Sequence, residues 1–216
     1  MTSNLLHGGA DVDAYRRVLD EVEPDVVVTQ ELGHECADVL TSRFRNHHLH
    51  PADDFTGRGI ATDLDVEFGD IPMPVRYGTS AILDVEGEPW DLAGIHLINP
   101  IEFPWWTSVR TRSEQLQALE QWRSEAEGPM LAVGDFNASP RWPAYRLMAE
   151  RWSDVVAHHA SDSGRRPERT WAWRPGWRRM LRIDHVFGSG VVATDAAVVP
   201  IKGSDHAAVW VDLVAG

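Results

Sequence analysis

Apolar residues recur along the chain at the spacings of helices and buried strands. One set shares a single helical face: Val12, Tyr15, Val18, Leu19 and Val22. Residues 12–22 are therefore predicted to form an amphipathic helix. Pro24 ends this helix, and the following PDVVVTQE is predicted to be a buried strand that ends at Gln30–Glu31.

The same patterns predict further elements as far as the carboxyl end. They are a short helix over 35–43, two strands within 78–97 joined by a turn at Glu86–Pro89, a helix from Ser108 to Glu125, a strand in PMLAVGDFN, a short helix near 143–149, and strands in LRIDHVFGS, TDAAVVPI and HAAVWVDLV. Strand and helix patterns alternate with no internal repeat and no low-complexity linker. A single domain of the α/β or α+β class over residues 1–216 is therefore predicted.

Polar side chains repeatedly stand where a predicted buried strand ends. They are Glu31, His96, Asp135 with Asn137, and Asp205 with His206. Independent strand capping would be one explanation. Because function concentrates where a rigid strand passes into a loop, convergence on one site is the sharper hypothesis.

These residue types suit the hydrolysis of a phosphate ester. Mg²⁺ takes oxygen ligands, often one or two carboxylates together with water and substrate phosphate. A base must orient the attacking water, and a carboxylate behind a histidine fixes its tautomer and steadies the imidazolium. The set does not form a zinc site, since it has neither two histidines at helical spacing nor a cysteine cluster.

Composition indicates the compartment in which the protein works and the partners that its charge disfavours. The single cysteine, Cys36, excludes an intramolecular disulfide framework and favours a reducing compartment. The chain has neither a signal-peptide pattern nor an apolar run of the roughly 20 residues needed to span a bilayer. We therefore expect a cytoplasmic protein without an integral membrane segment, and a monomer, although a start upstream of Met1 would change the location. A net charge of −13 disfavours an extensive nonspecific grip on nucleic acid.

Six short motifs carry a resemblance to a known family. In chain order they are TSNLLHGG with Asn4, TQE at 29–31, GIHL at 94–97, GDFN at 134–137, RIDHV at 182–186 and SDH at 204–206. Their order and spacing resemble the endonuclease/exonuclease/phosphatase superfamily, the DNase I-like phosphoesterases. The resemblance implies a four-layer sandwich of two packed mixed β-sheets flanked by helices, with the active site at one edge.

The resemblance also implies a metal centre. Glu31 is expected to be the direct ligand of Mg²⁺, with Mn²⁺ as a second ion that could serve. Asn4 is expected to help to hold the metal site, and Asp205 to bind metal through water or at a second position.

Catalytic roles follow from the same resemblance. Asp135 is expected to orient the nucleophilic water and Asn137 to donate to the phosphate. His206 is expected to act with Asp184 as its carboxylate partner, as base or as phosphate-stabilising acid. His96 is expected to contact the phosphate or serve the leaving group, and the division of roles between the two histidines and Asp135 stays open.

An arginine- and tryptophan-rich segment precedes the strand that carries Asp184. RRPERTWAWRPGWRRMLR, residues 165–182, contains seven arginines and three tryptophans. We expect a loop beside the site that binds substrate through Arg174, Arg178, Arg182, Trp171 and Trp173; ordinary packing of arginine on tryptophan is the alternative. Trp105 and Trp106 could form the opposite wall. The stretch from His50 to Tyr77 matches no substrate loop of the family.

The functional prediction is Mg²⁺-dependent hydrolysis of a phosphomonoester or phosphodiester on a small-molecule or lipid-linked substrate. The acidic surface and the aromatic segments favour this over a nuclease of bulk nucleic acid. A DNA or RNA endonuclease or exonuclease of the repair type is the alternative. A noncatalytic binding module on the same fold is a third hypothesis, which the complete set of catalytic positions disfavours.

Overall fold

The structure, a computed structural model, describes residues 1–101, 105–125 and 128–216. In chain order its elements are β1 (Thr2–Asn4), α1 (Val12–Val22), β2 (Val26–Gln30), α2 (His34–Arg43), β3 (Asn46–His50), β4 (Arg58–Thr62), β5 (Val66–Ile71), β6 (Gly78–Val85), β7 (Glu88–His96), α3 (Trp105–Glu125), β8 (Met130–Asp135), α4 (Pro143–Ala149), β9 (Ser153–Asp154), α5 (Val155–Asp162), β10 (Asp184–Ser189), β11 (Val191–Pro200) and β12 (Ala207–Ala215).

The strands form two mixed sheets of six strands each. The first sheet has the order β11-β12-β1-β2-β4-β3, and the second has the order β5-β6-β7-β8-β10-β9. β1 runs parallel to β2, and β7 runs parallel to β8. The other neighbouring pairs are antiparallel. The chain therefore visits both sheets and returns to the first with its last two strands.

Three apolar clusters define the layers. Between the sheets, β2 and β4 contribute Val28 and Ile60 to a cluster with Leu92 and Val133 of the second sheet. A second cluster packs α1 and α2 on the outer face of the first sheet, and a third packs α3 and α4 on the outer face of the second. The order helix, sheet, sheet, helix confirms the predicted four-layer sandwich.

The helix predicted over residues 12–22 is confirmed, and its ends have clear causes. The Asp11 side chain accepts a hydrogen bond from the Ala14 N–H at 2.8 Å and caps the amino end. Glu23 takes a left-handed conformation with φ of 46°, and Pro24 prevents further helix. The third helix begins at Trp105, three residues before the predicted start.

Several elements were not predicted because their patterns are irregular. β3 contains three histidines and is only partly buried, so it lacks the apolar alternation that marks a strand. β4 and β5 fall in the unmatched stretch from His50 to Tyr77, and α5 is a helix of only eight residues. Among the helices of the described residues, none is long and apolar enough to cross a membrane.

Candidate active site

The polar strand ends meet at one edge of the sandwich. β1 ends on Asn4, which is level with Gln30 of β2, so that Glu31 follows immediately beside it. In the second sheet, Asp135 pairs in register with His96 on one side and Asp184 on the other. Facing central strands of the two sheets thus present carboxylates and histidines to the same cavity, as the sequence pattern predicted.

Asp135 lies at the centre of this cluster and is 1% exposed. Its Oδ1 accepts the Asn137 backbone N–H at 2.8 Å, and its Oδ2 accepts the Asn4 side-chain amide at 3.1 Å. Burial, followed by the charge of Asp184, raises the pKa of Asp135 to about 7, against the lowering effect of His206. The carboxyl group therefore titrates in the range in which a general base operates.

His206 and Asp184 form a buried pair. The His206 Nδ1 is 2.9 Å from Asp184 Oδ2 and 3.1 Å from Oδ1, which leaves Nε2 facing Asp135 Oδ2 at 3.8 Å. Burial alone would lower the pKa of His206, but Asp184 and Asp135 outweigh it and raise the pKa to about 10. At neutral pH His206 is an imidazolium whose Nε2 faces the Asp135 carboxylate.

His96 has the opposite electrostatic setting. Its Nε2 is 3.6 Å from both Glu31 Oε1 and Asp135 Oδ2. Burial, reinforced by the positive charges of Arg76 and His206, lowers the pKa of His96 well below its usual value. The site therefore contains one neutral and one protonated imidazole, which gives them different chemical roles.

Two amide side chains hold the carboxylates in place. The Asn4 Nδ2 donates to Glu31 Oε1 and to Asp135 Oδ2, each at 3.1 Å, while its Oδ1 accepts the Leu6 N–H. The Asn137 Nδ2 donates to the Leu97 carbonyl at 2.9 Å and to Asp135 Oδ2 at 3.3 Å. In this geometry both amides bind protein oxygens, so they position the charged groups.

Strained backbone aims the side chains into the site. Glu31 and Asn137 both have positive φ, at 53° and 46°, a conformation that costs a non-glycine residue of order 1–3 kcal/mol. Gly134 has φ of 141°, and a Cβ there would lie 2.0 Å from the Ile95 carbonyl oxygen. Only glycine therefore allows β8 to approach β7 immediately before Asp135.

The donor set suits a divalent cation. Glu31 and Asp135 bring carboxylates to within 3.6 Å of the same His96 Nε2, and carboxylate oxygens of Asp135 and Asp184 lie within 4.8 Å of each other. Asp205 accepts the Trp171 indole N–H on Oδ2 at 3.0 Å, but its buried Oδ1 has no hydrogen-bond partner among the described residues. Clustered oxygen ligands with spare acceptor capacity fit a hard cation.

A cavity of ≈520 Å³ opens above this cluster. Trp171 and Trp173, two of the predicted substrate-binding residues, line its wall together with Asp205. Trp171 is held there by backbone hydrogen bonds to Leu181, and a β-bridge joins it to His206. The aromatic segment therefore borders the site as the sequence predicted.

The three predicted substrate-binding arginines have different positions. Arg182 is 8% exposed, and its guanidinium donates to both carboxylate oxygens of Asp154, at 3.1 Å and 2.6 Å. This buried pairing corrects the expectation that Arg182 reaches substrate. Arg174 stacks on the Trp177 ring, and Arg178 lines a neighbouring cleft that shares Asp205 and His206 with the site.

Several residues of the cavity were missed by the sequence reasoning, among them His7, Arg76 and Phe55. His7 Nδ1 is 3.0 Å from Glu31 Oε2, because the turn after β1 has positive φ at residues 6 to 8. Arg76 donates to the Leu97 carbonyl, and its guanidinium lies 4.5 Å from the centre of the Phe55 ring. His7 belongs to the TSNLLHGG motif and could have been found there, whereas Arg76 and Phe55 lie in the unmatched stretch.

The tryptophans of the predicted opposite wall and the histidine next to Asp184 have the following positions. The side chain of Trp105 lies outside the described residues, and Trp106 is 57% exposed on α3. His185, next to Asp184 on β10, is fully buried with its Nε2 2.7 Å from the Ala138 carbonyl oxygen. It packs against Phe136 and Phe187, so its role is structural.

This sandwich, with carboxylates and histidines gathered at one edge of its central strands, defines a hydrolase of phosphate esters. The chain belongs to the endonuclease/exonuclease/phosphatase family, whose model matches residues 1–206. Enzymes of this family are generally dependent on divalent metals, and the buried acidic and histidine groups could bind one. No curated protein sequence matches the chain.

Solved structures share the fold at low sequence identity. The human Nocturnin catalytic domain with bound sulfate is 17% identical with a TM-score of 0.71, over 99% of this chain and 93% of that one. TDP2 of D. rerio with a single-strand DNA product is 18% identical with a TM-score of 0.73, over 99% and 98%. The 3'-5' exonuclease NExo of Neisseria meningitidis is 18% identical with a TM-score of 0.68, over 98% and 97%.

Proposed function

We propose that the chain hydrolyses a phosphomonoester or phosphodiester with Mg²⁺ as its cofactor, on a small-molecule or lipid-linked substrate. The observation that carries the proposal is the buried cluster at the cavity in which the His206–Asp184 pair faces Asp135 beside Asn4 and Glu31; burial raises the pKa of Asp135, and the nearby carboxylates raise the pKa of His206. A base and a cationic donor are the two groups that attack of water on a phosphoryl centre requires.

Glu31 and Asp205 are the proposed metal-binding carboxylates. Both border the cavity, and Asn4 holds Glu31 at 3.1 Å from its amide. The bound cation would neutralise charge on the phosphoryl oxygens and lower the pKa of coordinated water. Mn²⁺ should replace Mg²⁺, because the same oxygen ligands suit it.

Asp135 is the proposed base, and His206 the proposed donor to a phosphoryl oxygen. Asn137 holds Asp135 through its backbone N–H, and Asp184 holds His206 through both carboxylate oxygens. His96 is neutral at pH 7, so it is available to donate or accept one hydrogen bond to the phosphate or leaving group. The opposite pKa shifts of His206 and His96 support these different roles.

The cavity supports a compact substrate. A volume of ≈520 Å³ accommodates a molecule of ordinary small-ligand size. Trp171 and Trp173 offer apolar faces, and Arg76 adds a cation on the wall near Phe55. The net charge of −13 argues against wide contact with a nucleic-acid backbone.

A nuclease is the second candidate function, favoured by the cleft next to the site. Arg178, Arg179 and Lys202 line this cleft, which reaches His206. The TDP2 structure contains a single-strand DNA product, and NExo is described as a 3'-5' exonuclease. A strand lying along the cleft would explain why cations stand there.

One panel separates these two functions. Aryl phosphate mono- and diesters, nucleotides, sugar phosphates, lipid phosphates and DNA are incubated with Mg²⁺, with EDTA, and with the Asp135→Asn variant. Exposed Asp162→Asn is the matched control. Small-substrate turnover that needs both Mg²⁺ and Asp135 supports the first function. Salt-sensitive DNA cleavage without small-substrate turnover supports the second, and turnover that survives EDTA contradicts both.

The same proposal includes the domain organisation, the oligomeric state and the cellular location of the protein. Residues 1–216 act as one catalytic domain, the protein is a monomer, and it works in the cytoplasm, where its one thiol, Cys36, stays reduced. Light scattering during size-exclusion chromatography tests the monomer, since a dimer would double the mass of 24.2 kDa.

A further inference from the structure

A histidine-rich cluster joins the two sheets at the edge formed by β3 and β5. Each of these strands lies at an edge of its sheet. His48 and His50 alternate along β3 and so point to the same face, and Asp70 of β5 meets them there. None of the three lines the catalytic cavity.

The three ligand atoms of this cluster form a compact triangle. The two Nε2 atoms are 3.1 Å apart, and Asp70 Oδ1 is 3.3 Å from the His48 Nε2 and 3.8 Å from the His50 Nε2. Zn²⁺ binds imidazole nitrogen and carboxylate oxygen at about 2.0–2.2 Å. Tetrahedral ligands at that radius are about 3.4 Å from one another, which falls within the observed distances.

Packing fixes the orientation of these side chains. The His48 ring stacks on Phe68 at 5.7 Å between centroids with an interplanar angle of 17°, and it meets His50 at 90°. Asp70 also accepts a hydrogen bond from Arg58 Nη2 at 3.3 Å. Ligands oriented by neighbours in this way lose little conformational freedom on binding an ion.

The ligand types in the cluster favour Zn²⁺ over Mg²⁺ and Ca²⁺. The cluster contains two imidazole nitrogens and only one carboxylate oxygen that meets them, Asp70 Oδ1. Mg²⁺ and Ca²⁺ depend on several oxygen ligands, so they gain little here. Zn²⁺ forms strong bonds to neutral imidazole and can leave a fourth position to water.

We propose that His48, His50 and Asp70 form a second metal site, which binds Zn²⁺ and ties the edge of one sheet to the edge of the other. The site is separate from the catalytic cluster and does not rest on the proposed function. Because the ion binds only the folded arrangement of two distant strands, it should also stabilise the native state.

The test is equilibrium dialysis with Zn²⁺ in excess Mg²⁺, which occupies oxygen-ligand sites. His50→Gln and Asp70→Asn each remove one ligand at nearly constant size. His47→Gln, on the same strand and exposed, is the matched control. We expect wild type and H47Q to bind one more Zn²⁺ than the two ligand variants. Each ligand variant should weaken binding by more than the roughly 10–100-fold that loss of an outer-shell partner costs.

A spectroscopic arm keeps the proposal testable if a ligand variant fails to fold. Co²⁺ in a four-coordinate site absorbs visible light far more strongly than Co²⁺ in a six-coordinate oxygen site. Wild type with Co²⁺ and excess Mg²⁺ should show the strong band, and Zn²⁺ should displace it. Equal Zn²⁺ binding by all variants, or only the weak six-coordinate spectrum, would overturn the proposal.

Discussion

Replacing Arg182 with alanine should destabilise the fold and leave substrate affinity unchanged. Arg182 and Asp154 are 8% and 3% exposed, and two hydrogen bonds join them. Breaking a buried pair by removing one partner typically costs about 3–5 kcal/mol. The Tyr145 hydroxyl and the Ala157 N–H still donate to Asp154 in the variant, so we expect a loss at the lower end, about 3 kcal/mol.

Urea and thermal unfolding measure this loss. At about 2–4 °C per kcal/mol for a chain of this size, the melting temperature should fall by roughly 6–12 °C. Exposed Arg178→Ala is the control and should change the free energy of unfolding by less than about 0.5 kcal/mol. An R182A variant within about 1 kcal/mol of wild type, or one with normal stability and a raised KM, would refute the reasoning.

Acid should remove the difference between wild type and R182A. Burial works to raise the pKa of Asp154, but His185 and Arg182 outweigh it and hold the pKa well below its usual value. A carboxyl group whose pKa is lower in the folded state contributes its full stabilisation above its unfolded-state pKa, which is near 3.9 for Asp. That stabilisation is lost as the pH falls below this value. The two unfolding curves should therefore converge at low pH.

Three further predictions concern the catalytic cluster. Without divalent cations, Asp135→Asn should raise the melting temperature by more at pH 8 than at pH 5, because the pKa of Asp135 is raised to about 7 and its ionisation costs stability progressively as pH rises from the unfolded value near 3.9 to about 7; a lower melting temperature at pH 8 would contradict this. The kcat/KM should rise as the pH increases through about 7, because Asp135 loses its proton, and should fall towards pH 10, because His206 loses its proton. A kcat/KM that does not change with pH would exclude Asp135 as the base and His206 as the acid. Gly134→Ala should lower both activity and the urea midpoint, since its Cβ would meet the Ile95 carbonyl at 2.0 Å; unchanged activity would show that β8 can move without displacing Asp135.

The meeting of the polar strand ends could be predicted because these residues are encoded locally. Asp135 and His96 each stand at the end of an apolar strand, and parallel neighbours bring such ends together. The order of short motifs then identified the family without any long-range information. The sandwich followed from the family resemblance, since the strand pattern alone left the class between α/β and α+β.

Other features depend on partners that are distant in sequence. Arg182 is two residues from Asp184, yet it turns to Asp154, whose strand β9 has only two residues and no pattern of its own. Arg76 reaches the cavity from a segment without a recognised motif. Contacts of this kind are set by tertiary packing, which local periodicity does not encode.

The proposed function depends on Asp135 acting as the base of a metal-dependent phosphoesterase. The direct measurement is kcat/KM of wild type and Asp135→Asn on the best substrate of the panel, in Mg²⁺, with folding checked by circular dichroism. Loss of a positioned base should lower kcat/KM by about 10²–10⁴-fold, while Asp162→Asn remains at the wild-type value. A folded Asp135→Asn variant that keeps wild-type turnover would contradict the assignment of the active site.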